Sequence, residues 1–436
     1  MTQPARRRTR AIVRAAVLAT LTALVVTSCS DGHLDVRSVP AAGWSSYGGN
    51  SANSNFSWAA APADLEPSWS RDAGGPITAP VTMNGGGDIV VSAKTPNGCN
   101  MLVLDHRAGR KNFCKRMADG YQGNAALVDQ FGQPYIGEPG RFLAMTGGGA
   151  IRWRHDLPGV PTSAKFVGPG RVLVTSTHGR VMILESQSGK LAMPARDLWS
   201  TVPEDLSAGL DECVSGGAGC AIAAPPAVDW AAERIFLNFF PQGAKASQVK
   251  TLGYGQNGDQ RTLTDQWATD LPGGVVGPPV VSNDGKTVYA FGRDNKLYAL
   301  DAATGAIRWS HDVGDSGFGT LSVSPDGIII PAGKAGGPLT ILRDAGDKVE
   351  EIARRDDLQT AGLSALTAGG SAWTVVRSGA DQNLQLLQID VQNGTTKRTL
   401  AMDGARGFAT GVAVSPTGQI AVATYAGTVY YFNPKS

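Results

Sequence analysis

Two copies of a repeated tetrapeptide set an imidazole beside a carboxylate, an arrangement that general acid–base catalysis uses. His155 and His311 each precede the aspartate of the tetrapeptide W-x-x-D. This tetrapeptide occurs four times, with Trp69 and Asp72, Trp153 and Asp156, Trp267 and Asp270, and Trp309 and Asp312. Arg71 and Thr269 take the place of the histidine in the other two copies. A position that accepts His, Arg and Thr favours a solvated strand end over a catalytic set, so we interpret these residues as structural.

The repeated residues predict packing rather than chemistry. We expect each tryptophan ring to lie between neighbouring structural units and each aspartate to accept backbone hydrogen bonds at a strand end. Asp301 and Gly305 lie eight and four residues before Trp309 and predict a tight turn, with Gly305 in the left-handed conformation.

Other motifs that carry chemistry are missing from the sequence. It has no G-x-S-x-G nucleophile motif, and none of its glycine runs leads into G-K-[ST]. Its five histidines lack the spacing of metal ligands. The sequence therefore predicts no catalytic residue, no metal and no cofactor.

Cys29 is the residue whose surroundings predict a modification. A start with five arginines is followed by an apolar run of about 12 residues, too short to span a bilayer, and then by Thr27, Ser28 and Cys29. This order resembles a bacterial lipoprotein signal, whose cysteine carries acyl chains such as palmitate. We predict a signal peptide over 1–28 and a lipidated flexible tether over 29–43. An ordinary signal peptide with an incidental Cys29 is the alternative.

Loss of residues 1–28 would reverse the sign of the net charge. The sequence has 39 Lys+Arg and 37 Asp+Glu, and without the five arginines of its start the net charge is −3. No basic tract remains to follow a phosphate backbone, which excludes nucleic acid as a partner. We expect export and attachment to the outer face of the cell membrane, or a periplasmic location where an outer membrane exists.

The four remaining cysteines allow three pairings, of which the local ones fit best. Cys99 and Cys114 flank a strand–turn–strand pattern that would bring them almost opposite each other, and Cys213 and Cys220 enclose a glycine-rich loop. An even number of cysteines suits an oxidising compartment. Four free thiols are the alternative.

Composition and internal similarity together predict the fold. Gly accounts for 56 of 436 residues and charged residues for 17%, which favours many short strands and tight turns. Turn and tryptophan anchors recur every 40–46 residues, except for one gap of 74 that holds an insertion at about 197–222. Eight repeats of this length predict an all-β, eight-bladed β-propeller of four-stranded antiparallel blades over 44–436. Two β-sandwich domains are the alternative.

The two ends of the repeat array predict how the ring closes. The last unit supplies three strands before the chain ends, and residues 65–72 form a strand pattern without three strands before it. We therefore expect residues 65–72 to be the fourth strand of the last blade, which would close the ring and remove an exposed edge.

The stretch from Gly292 to Trp309 resembles the repeat of the PQQ-like, quinoprotein-type β-propellers. The segment GWSSYGGNSANSNF, which begins at Gly43, is similar to the one that opens many members of this family. The resemblance implies one of two branches, the quinoprotein dehydrogenases or non-catalytic lipoproteins of the BamB-like family. The enzyme branch has two adjacent cysteines at its cofactor, and this sequence has no adjacent pair.

The lipoprotein branch implies a function without catalysis. We expect a monomeric, lipid-anchored protein-binding scaffold of the cell envelope, with envelope proteins as partners. A quinone-dependent dehydrogenase and a sensor propeller that binds a small ligand are the alternatives. The insertion at about 197–222 is the candidate partner-binding loop, and a tolerated surface insertion is its other interpretation.

Overall fold

The computed structural model describes residues 36–60, 64–96, 98–118, 123–258, 260–315, 317, 319–332, 337–378 and 383–435. Contacts separate Met1–Val36 from a second compact unit, Arg37–Ser436, which contains every strand described below. The signal peptide and Cys29 lie outside the described residues.

The first half of the chain forms β1, β2 and blades 1 to 4, each blade numbered from its innermost strand A to its outermost strand D. The two strands that precede blade 1 are β1 (Phe56–Ala60) and β2 (Leu65–Asp72). Blade 1 contains β3 (Thr82–Met83), β4 (Ile89–Ser92), β5 (Met101–Leu104) and β6 (Lys111–Lys115). Blade 2 contains β7 (Leu127–Val128), β8 (Pro134–Glu138), β9 (Arg141–Met145) and β10 (Ile151–Asp156). Blade 3 contains β11 (Lys165–Phe166), β12 (Arg171–Thr175), β13 (Arg180–Glu185) and β14 (Arg196–Asp197). Blade 4 contains β15 (Ala227–Asp229), β16 (Arg234–Phe239), β17 (Gln248–Gly253) and β20 (Thr264–Asp270), with the hairpin β18 (Gln256–Asn257) and β19 (Gln260–Arg261) between its last two strands.

The second half forms blades 5 to 8. Blade 5 contains β21 (Val275–Val281), β22 (Thr287–Gly292), β23 (Lys296–Asp301) and β24 (Ile307–Asp312). Blade 6 contains β25 (Thr320–Val323), β26 (Ile328–Ala332), β27 (Leu339–Asp344) and β28 (Val349–Arg355). Blade 7 contains β30 (Ala365–Ala368), β31 (Ser371–Ser378), β32 (Asn383–Asp390) and β33 (Thr396–Ala401), extended by β29 (Gln359–Thr360) on β31 and by β1 parallel to β30. Blade 8 contains β34 (Ala409–Val414), β35 (Ile420–Thr424), β36 (Thr428–Pro434) and β2.

The predicted fold is confirmed. Every blade has four antiparallel strands, to which blade 7 adds β29 and the parallel β1, and helix is confined to the short α1 (Glu212–Ser215) in the described residues. The predicted closure is present as well, because β2 pairs antiparallel with β36 from Leu65 opposite Pro434 to Asp72 opposite Thr428. No helix in the described part of the chain has the length and apolarity to cross a membrane.

The apolar core lies between blades rather than at the centre of the ring. Side chains alternate along each strand, so the two faces of a blade pack on different neighbours. On β22, Val288 and Ala290 belong to the cluster shared with blade 4, and Tyr289 and Phe291 belong to the cluster shared with blade 6. One cluster joins blades 7, 8 and 1 and so spans the closure.

The W-x-x-D tryptophans link successive blades, as expected. In three of the four copies the indole Nε1 donates to a carbonyl in the C–D turn of the next blade, from Trp69 to His106, from Trp153 to Ser186 and from Trp267 to Ala302, at 2.9–3.1 Å. The glycines of these turns, Gly109, Gly189 and Gly305, have positive φ, and a Cβ on any of them would lie 2.4–2.6 Å from the tryptophan ring. Trp309 donates instead to Asp344 Oδ1 at 3.0 Å.

Two features differ from the sequence prediction. Residues 38–43, assigned to a flexible tether, pack on blade 2, where buried Ser38 donates to Asp129 Oδ2 at 3.0 Å and Ala41 N donates to Val128 O at 3.0 Å. The long gap in the repeat has two sources, because the insertion between β14 and β15 runs over 198–226 and the hairpin of β18 and β19 adds further residues to blade 4.

Candidate functional site

The propeller has two ends with different architecture. We call the end that carries the A–B and C–D turns, such as 282–286 and 302–306, the turn face. The opposite end carries the B–C turns, such as 176–179, and the loops that join blades, including 198–226, and we call it the loop face. Both faces hold a candidate site.

Residues 44–55, here the axial segment, lie across the centre of the turn face. Backbone carbonyls of this segment accept hydrogen bonds of 2.8–3.0 Å from strand A of six blades, in chain order: Trp44 from Met83, Ser45 from Val128, Ser51 from Val228, Ala52 from Val281, Ser54 from Val323 and Asn55 from Leu366. Blade 3 joins through the Ser51 hydroxyl, which donates to Phe166 O at 2.9 Å. The segment therefore fastens seven blades at their innermost strands.

Lys165, on strand A of blade 3, binds the axial segment. Its ammonium is fully buried and donates to Ser46 Oγ and to the carbonyls of Tyr47 and Asn50. Three acceptors match the three N–H donors of an ammonium group. Burial lowers the pKa of the Lys165 ammonium well below its ordinary value.

A cavity of about 650 Å³ opens on the turn face beside the axial segment. Its aromatic wall consists of Trp44, Phe56, Trp58 and Trp230, and Asp229, Asn283 and Ser57 are among its polar lining residues. Phe56 meets Trp58 edge to face, with ring centroids 5.1 Å apart. Trp230 Nε1 donates to Phe166 O, so this ring is fixed to blade 3.

The insertion 198–226 is the main feature of the loop face. It rests on the B–C turns of successive blades: Ala221 N donates to Thr177 O of blade 3, Ser200 Oγ to Gln242 Oε1 of blade 4, and Arg293 of blade 5 donates to Ser215 O. His178 Nε2 lies 3.1 Å from Ala208 O. These contacts hold the insertion flat against the blades.

The tip of the insertion is fixed and presents apolar and acidic groups. Cys213 and Cys220 are bonded, with Cα atoms 5.1 Å apart, and the Glu212 carboxylate accepts from Gly219 N at 2.9 Å. Within this clamped loop the Val214 side chain is 94% exposed. The insertion contains four acidic residues, Glu204, Asp205, Asp211 and Glu212, and no lysine or arginine.

The second disulfide also lies at the loop face. Cys99, just before β5, is bonded to Cys114 on β6, with Cα atoms 5.5 Å apart. Both pairs are therefore the local ones that the sequence favours.

The aspartates of the W-x-x-D copies have different partners. Asp72 and Asp312 each accept from the backbone N–H of a following glycine, at 2.7 and 2.8 Å. Asp156 pairs instead with Arg141, and Asp270 is the exposed last residue of β20. Asp301 accepts from Ala303 N and Thr304 N and so shapes the turn that ends at Gly305.

The residue before these aspartates lies at a strand end and is exposed at Arg71 and half-buried in the other three copies, and in three of the four copies it also contacts the next blade. Arg71 Nε and Thr269 Oγ1 donate to the carbonyls of Gly109 and Gly305, and His155 Nδ1 lies 2.9 Å from Gly189 O. Arg, Thr and His side chains can all donate a hydrogen bond, and Arg71, Thr269 and His155 each contact a carbonyl in the turn of the next blade. This common property was the signal in the sequence.

The residues do not fit the calcium and quinone of the enzyme branch. Across the described ranges no three His, Cys, Asp or Glu side chains are close enough to hold a metal ion. The two disulfides join cysteines 15 and 7 residues apart rather than adjacent ones. We assign no step of a quinone reaction to the residues that the structure describes.

Comparisons with known proteins agree with the propeller fold. The family model described as outer membrane protein assembly factor BamB matches residues 257–436. Protein Rv3035 of Mycobacterium tuberculosis is 31% identical over 413 residues, which cover 93% of this chain and 99% of the relative. BamB from Moraxella catarrhalis superposes with a TM-score of 0.58 at 16% identity, over 85% of this chain and 100% of that one. Quinohemoprotein alcohol dehydrogenase from Comamonas testosteroni gives 0.57 at 13% identity, over 89% and 80%.

Proposed function

The chain belongs to the same family as Protein Rv3035, and its residues 257–436 match the BamB family model. From this premise we propose that it is a lipid-anchored, non-catalytic scaffold that binds another protein of the cell envelope. The matching family model is described as an assembly factor, which is a role in bringing proteins together. The loop face is the proposed contact surface.

The observation that carries the proposal is the fixed presentation of Val214. A valine exposed to 94% would ordinarily be expected on a mobile tip, but a disulfide and contacts with three blades hold this one in place. Rigid presentation lowers the entropy lost on binding, which favours a protein contact. Leu206, on the same insertion, adds a second exposed aliphatic side chain.

The charge of the insertion defines the partner. Four acidic side chains and no basic one give it a net charge of −4. A partner surface with an apolar depression surrounded by lysine or arginine would complement it, and opposite charge would speed the encounter. Binding should therefore weaken as the salt concentration rises.

Affinity capture with charge variants tests the proposed surface. The full-length protein, extracted in detergent, is compared with the variant Glu204→Gln, Asp205→Asn, Asp211→Asn and Val214→Ser. We expect an envelope protein that is retained by the wild type and lost by this variant. Asp284→Asn with Asp326→Asn, which removes charge from the turn face, should retain it. Equal capture by all three proteins would contradict the proposal.

The lipid anchor is tested at Cys29. We expect Cys29→Ala to abolish incorporation of labelled palmitate and to move the protein from the membrane fraction to the soluble envelope fraction. The order of basic start, apolar run and small residues before Cys29 supports this expectation. Persistent labelling of Cys29→Ala would contradict it.

The absence of catalysis is tested with the cofactor of the enzyme branch. Addition of the quinone with Ca²⁺ should leave the melting temperature unchanged and should support no dye reduction with alcohol or sugar substrates. Turnover would contradict the proposal and favour the dehydrogenase alternative.

A further inference from the structure

The turn-face cavity combines an exposed aromatic ring with polar groups that have spare hydrogen-bonding capacity. We propose that it binds a neutral carbohydrate chain, with Trp58 as the ring on which a sugar stacks. This site lies on the face opposite the insertion, so it is independent of the protein contact proposed above.

Trp58 is positioned for a ligand rather than for the core. Its side chain is 70% exposed, whereas Trp44 of the same cavity is 2% exposed. The strand that carries it pairs in parallel with strand A of blade 7, Phe56 opposite Leu366 and Ser57 opposite Thr367. Phe56 packs edge to face on the indole at an interplanar angle of 90°. The ring is therefore held in place while much of its apolar surface stays available.

Three polar side chains of the cavity retain unused capacity. Asp229 Oδ1 accepts from Ala231 N and Ala232 N, which fixes the carboxylate. Its Oδ2 and the side chain of Asn283 make no hydrogen bond within the described part of the chain. Ser57 Oγ accepts from Ala59 N at 3.1 Å, and its hydroxyl hydrogen is left to donate.

Gly285 leaves room for the free oxygen of the Asp229 carboxylate, Oδ2. A Cβ at this position would lie 2.5 Å from Asp229 Oδ2, and the backbone has a φ of 70°. The carboxylate oxygen can therefore reach the wall of the cavity that Gly285 lines. A larger residue would displace it.

The composition of the lining selects the ligand class. It includes one carboxylate and no lysine, arginine or histidine, which disfavours phosphorylated and other anionic ligands. A sugar presents a C–H face to an indole and hydroxyl groups to a carboxylate, an amide and a serine. The volume of about 650 Å³ lies within the usual range for ligand sites and exceeds the needs of a single sugar ring.

Isothermal titration of the full-length, detergent-extracted protein tests the site. The probes are the neutral hexasaccharides of β-glucose, α-glucose, xylose and N-acetylglucosamine, together with an uncharged hexapeptide rich in Phe and Leu. We expect at least one hexasaccharide to bind, and the peptide not to bind.

Variants assign the binding to the cavity. Trp58→Ala should weaken the affinity for the bound hexasaccharide by about tenfold or more, and Asp229→Asn by about fivefold. Trp58→Tyr should retain most of the affinity, because it keeps an aromatic face. Phe131→Ala is the matched control, since Phe131 is 52% exposed on the turn face but does not line the cavity.

Three results would overturn the proposal. They are the absence of binding by all four hexasaccharides, binding that Trp58→Ala leaves unchanged, and binding of the peptide in place of the sugars. Circular dichroism of each variant separates loss of the site from loss of the fold.

Discussion

At the scale of single residues, the junction between blades 4 and 5 depends on a glycine that has no room for a side chain. Gly305 has a φ of 76°, and a Cβ there would lie 2.4 Å from the Trp267 ring and 2.7 Å from Thr269 Oγ1. The same packing recurs where Trp69 meets Gly109 and Trp153 meets Gly189. The repeat therefore preserves a contact between blades.

Gly305→Ala tests this contact. We expect it to lower the free energy of unfolding by about 2–4 kcal/mol, measured by urea denaturation, because the methyl group adds overlap with Trp267 to backbone strain. Gly314→Ala is the matched control. Gly314 has a φ of 75° and no atom within 4 Å of its Cβ position, so only strain of about 1 kcal/mol applies. Equal losses in the two variants would refute a role for the ring contact.

Lys165 is a second residue whose role follows from its surroundings. Its ammonium is the donor for three acceptors of the axial segment. We expect Lys165→Met to lower the free energy of unfolding by about 2–4 kcal/mol, because these acceptors would stay buried without a partner.

Lys286→Met controls for loss of a lysine. Lys286 is 80% exposed and lies 3.7 Å from Asp284, so its loss should change stability by less than about 0.5 kcal/mol. If the denaturation curves of the two variants coincide, the axial segment does not depend on Lys165.

At the scale of elements, the axial segment and β2 act on the whole ring. The axial segment fastens strand A of successive blades, and β2 completes blade 8, where the Trp69 and Tyr431 rings stack with centroids 4.8 Å apart. Without both elements, blade 8 would expose the edge of β36 and the centre of the turn face would lose its hydrogen-bond partners.

A shortened chain tests this dependence. We expect a chain that begins at Ala73 to aggregate or to unfold without cooperativity, whereas one that begins at Arg37 should unfold at the same temperature as the chain from Ser30. Differential scanning calorimetry measures the difference. A cooperative transition at an unchanged temperature in the chain from Ala73 would contradict the closure mechanism.

The sequence predicted the blades well because their signals are local and repeated. Asp301, Gly305 and Trp309 mark a turn and the strand after it, and the structure forms them as the C–D turn of blade 5 and β24. The axial segment escaped prediction, because its hydrogen bonds to strand A reach residues 39 to 311 positions away and leave no periodic pattern. The turn-face cavity was missed for the same reason, since Trp58, Asp229 and Asn283 meet only in the closed ring.

At the scale of the whole molecule, buried tyrosines set the stability at high pH. Burial is the main reason why the pKa values of Tyr254, Tyr289 and Tyr431 lie above the ordinary value near 10. The Tyr289 hydroxyl also donates to Asp344 at 2.7 Å, beside a carboxylate that opposes its ionisation. In the unfolded chain these phenols would titrate normally.

Stability should therefore fall above pH 10. In that range the unfolded chain loses tyrosine protons that the folded chain keeps, so the free energy of unfolding decreases with pH. The lowered pKa of Lys165 makes the free energy of unfolding rise with pH, but only up to about pH 10.5, where the unfolded lysine also loses its proton. Lys165 is a single group, whereas several tyrosines act in the other direction. We expect a loss of at least about 1 kcal/mol per pH unit between pH 10 and 11 by urea denaturation. Tyr289→Phe should reduce this slope, and a slope of zero in the wild type would contradict the argument.

The central claim is that the loop face holds a partner protein of the cell envelope. A photo-crosslinking amino acid, placed in living cells at Val214, Leu206 or Ile307, tests this claim directly. Val214 and Leu206 are on the insertion, and Ile307, 47% exposed, begins the outer strand of blade 5 beside the turn face. We predict that the same envelope protein crosslinks from Val214 and Leu206 and not from Ile307. A complete lack of crosslinks from the insertion, or equal crosslinking from Ile307, would contradict the account.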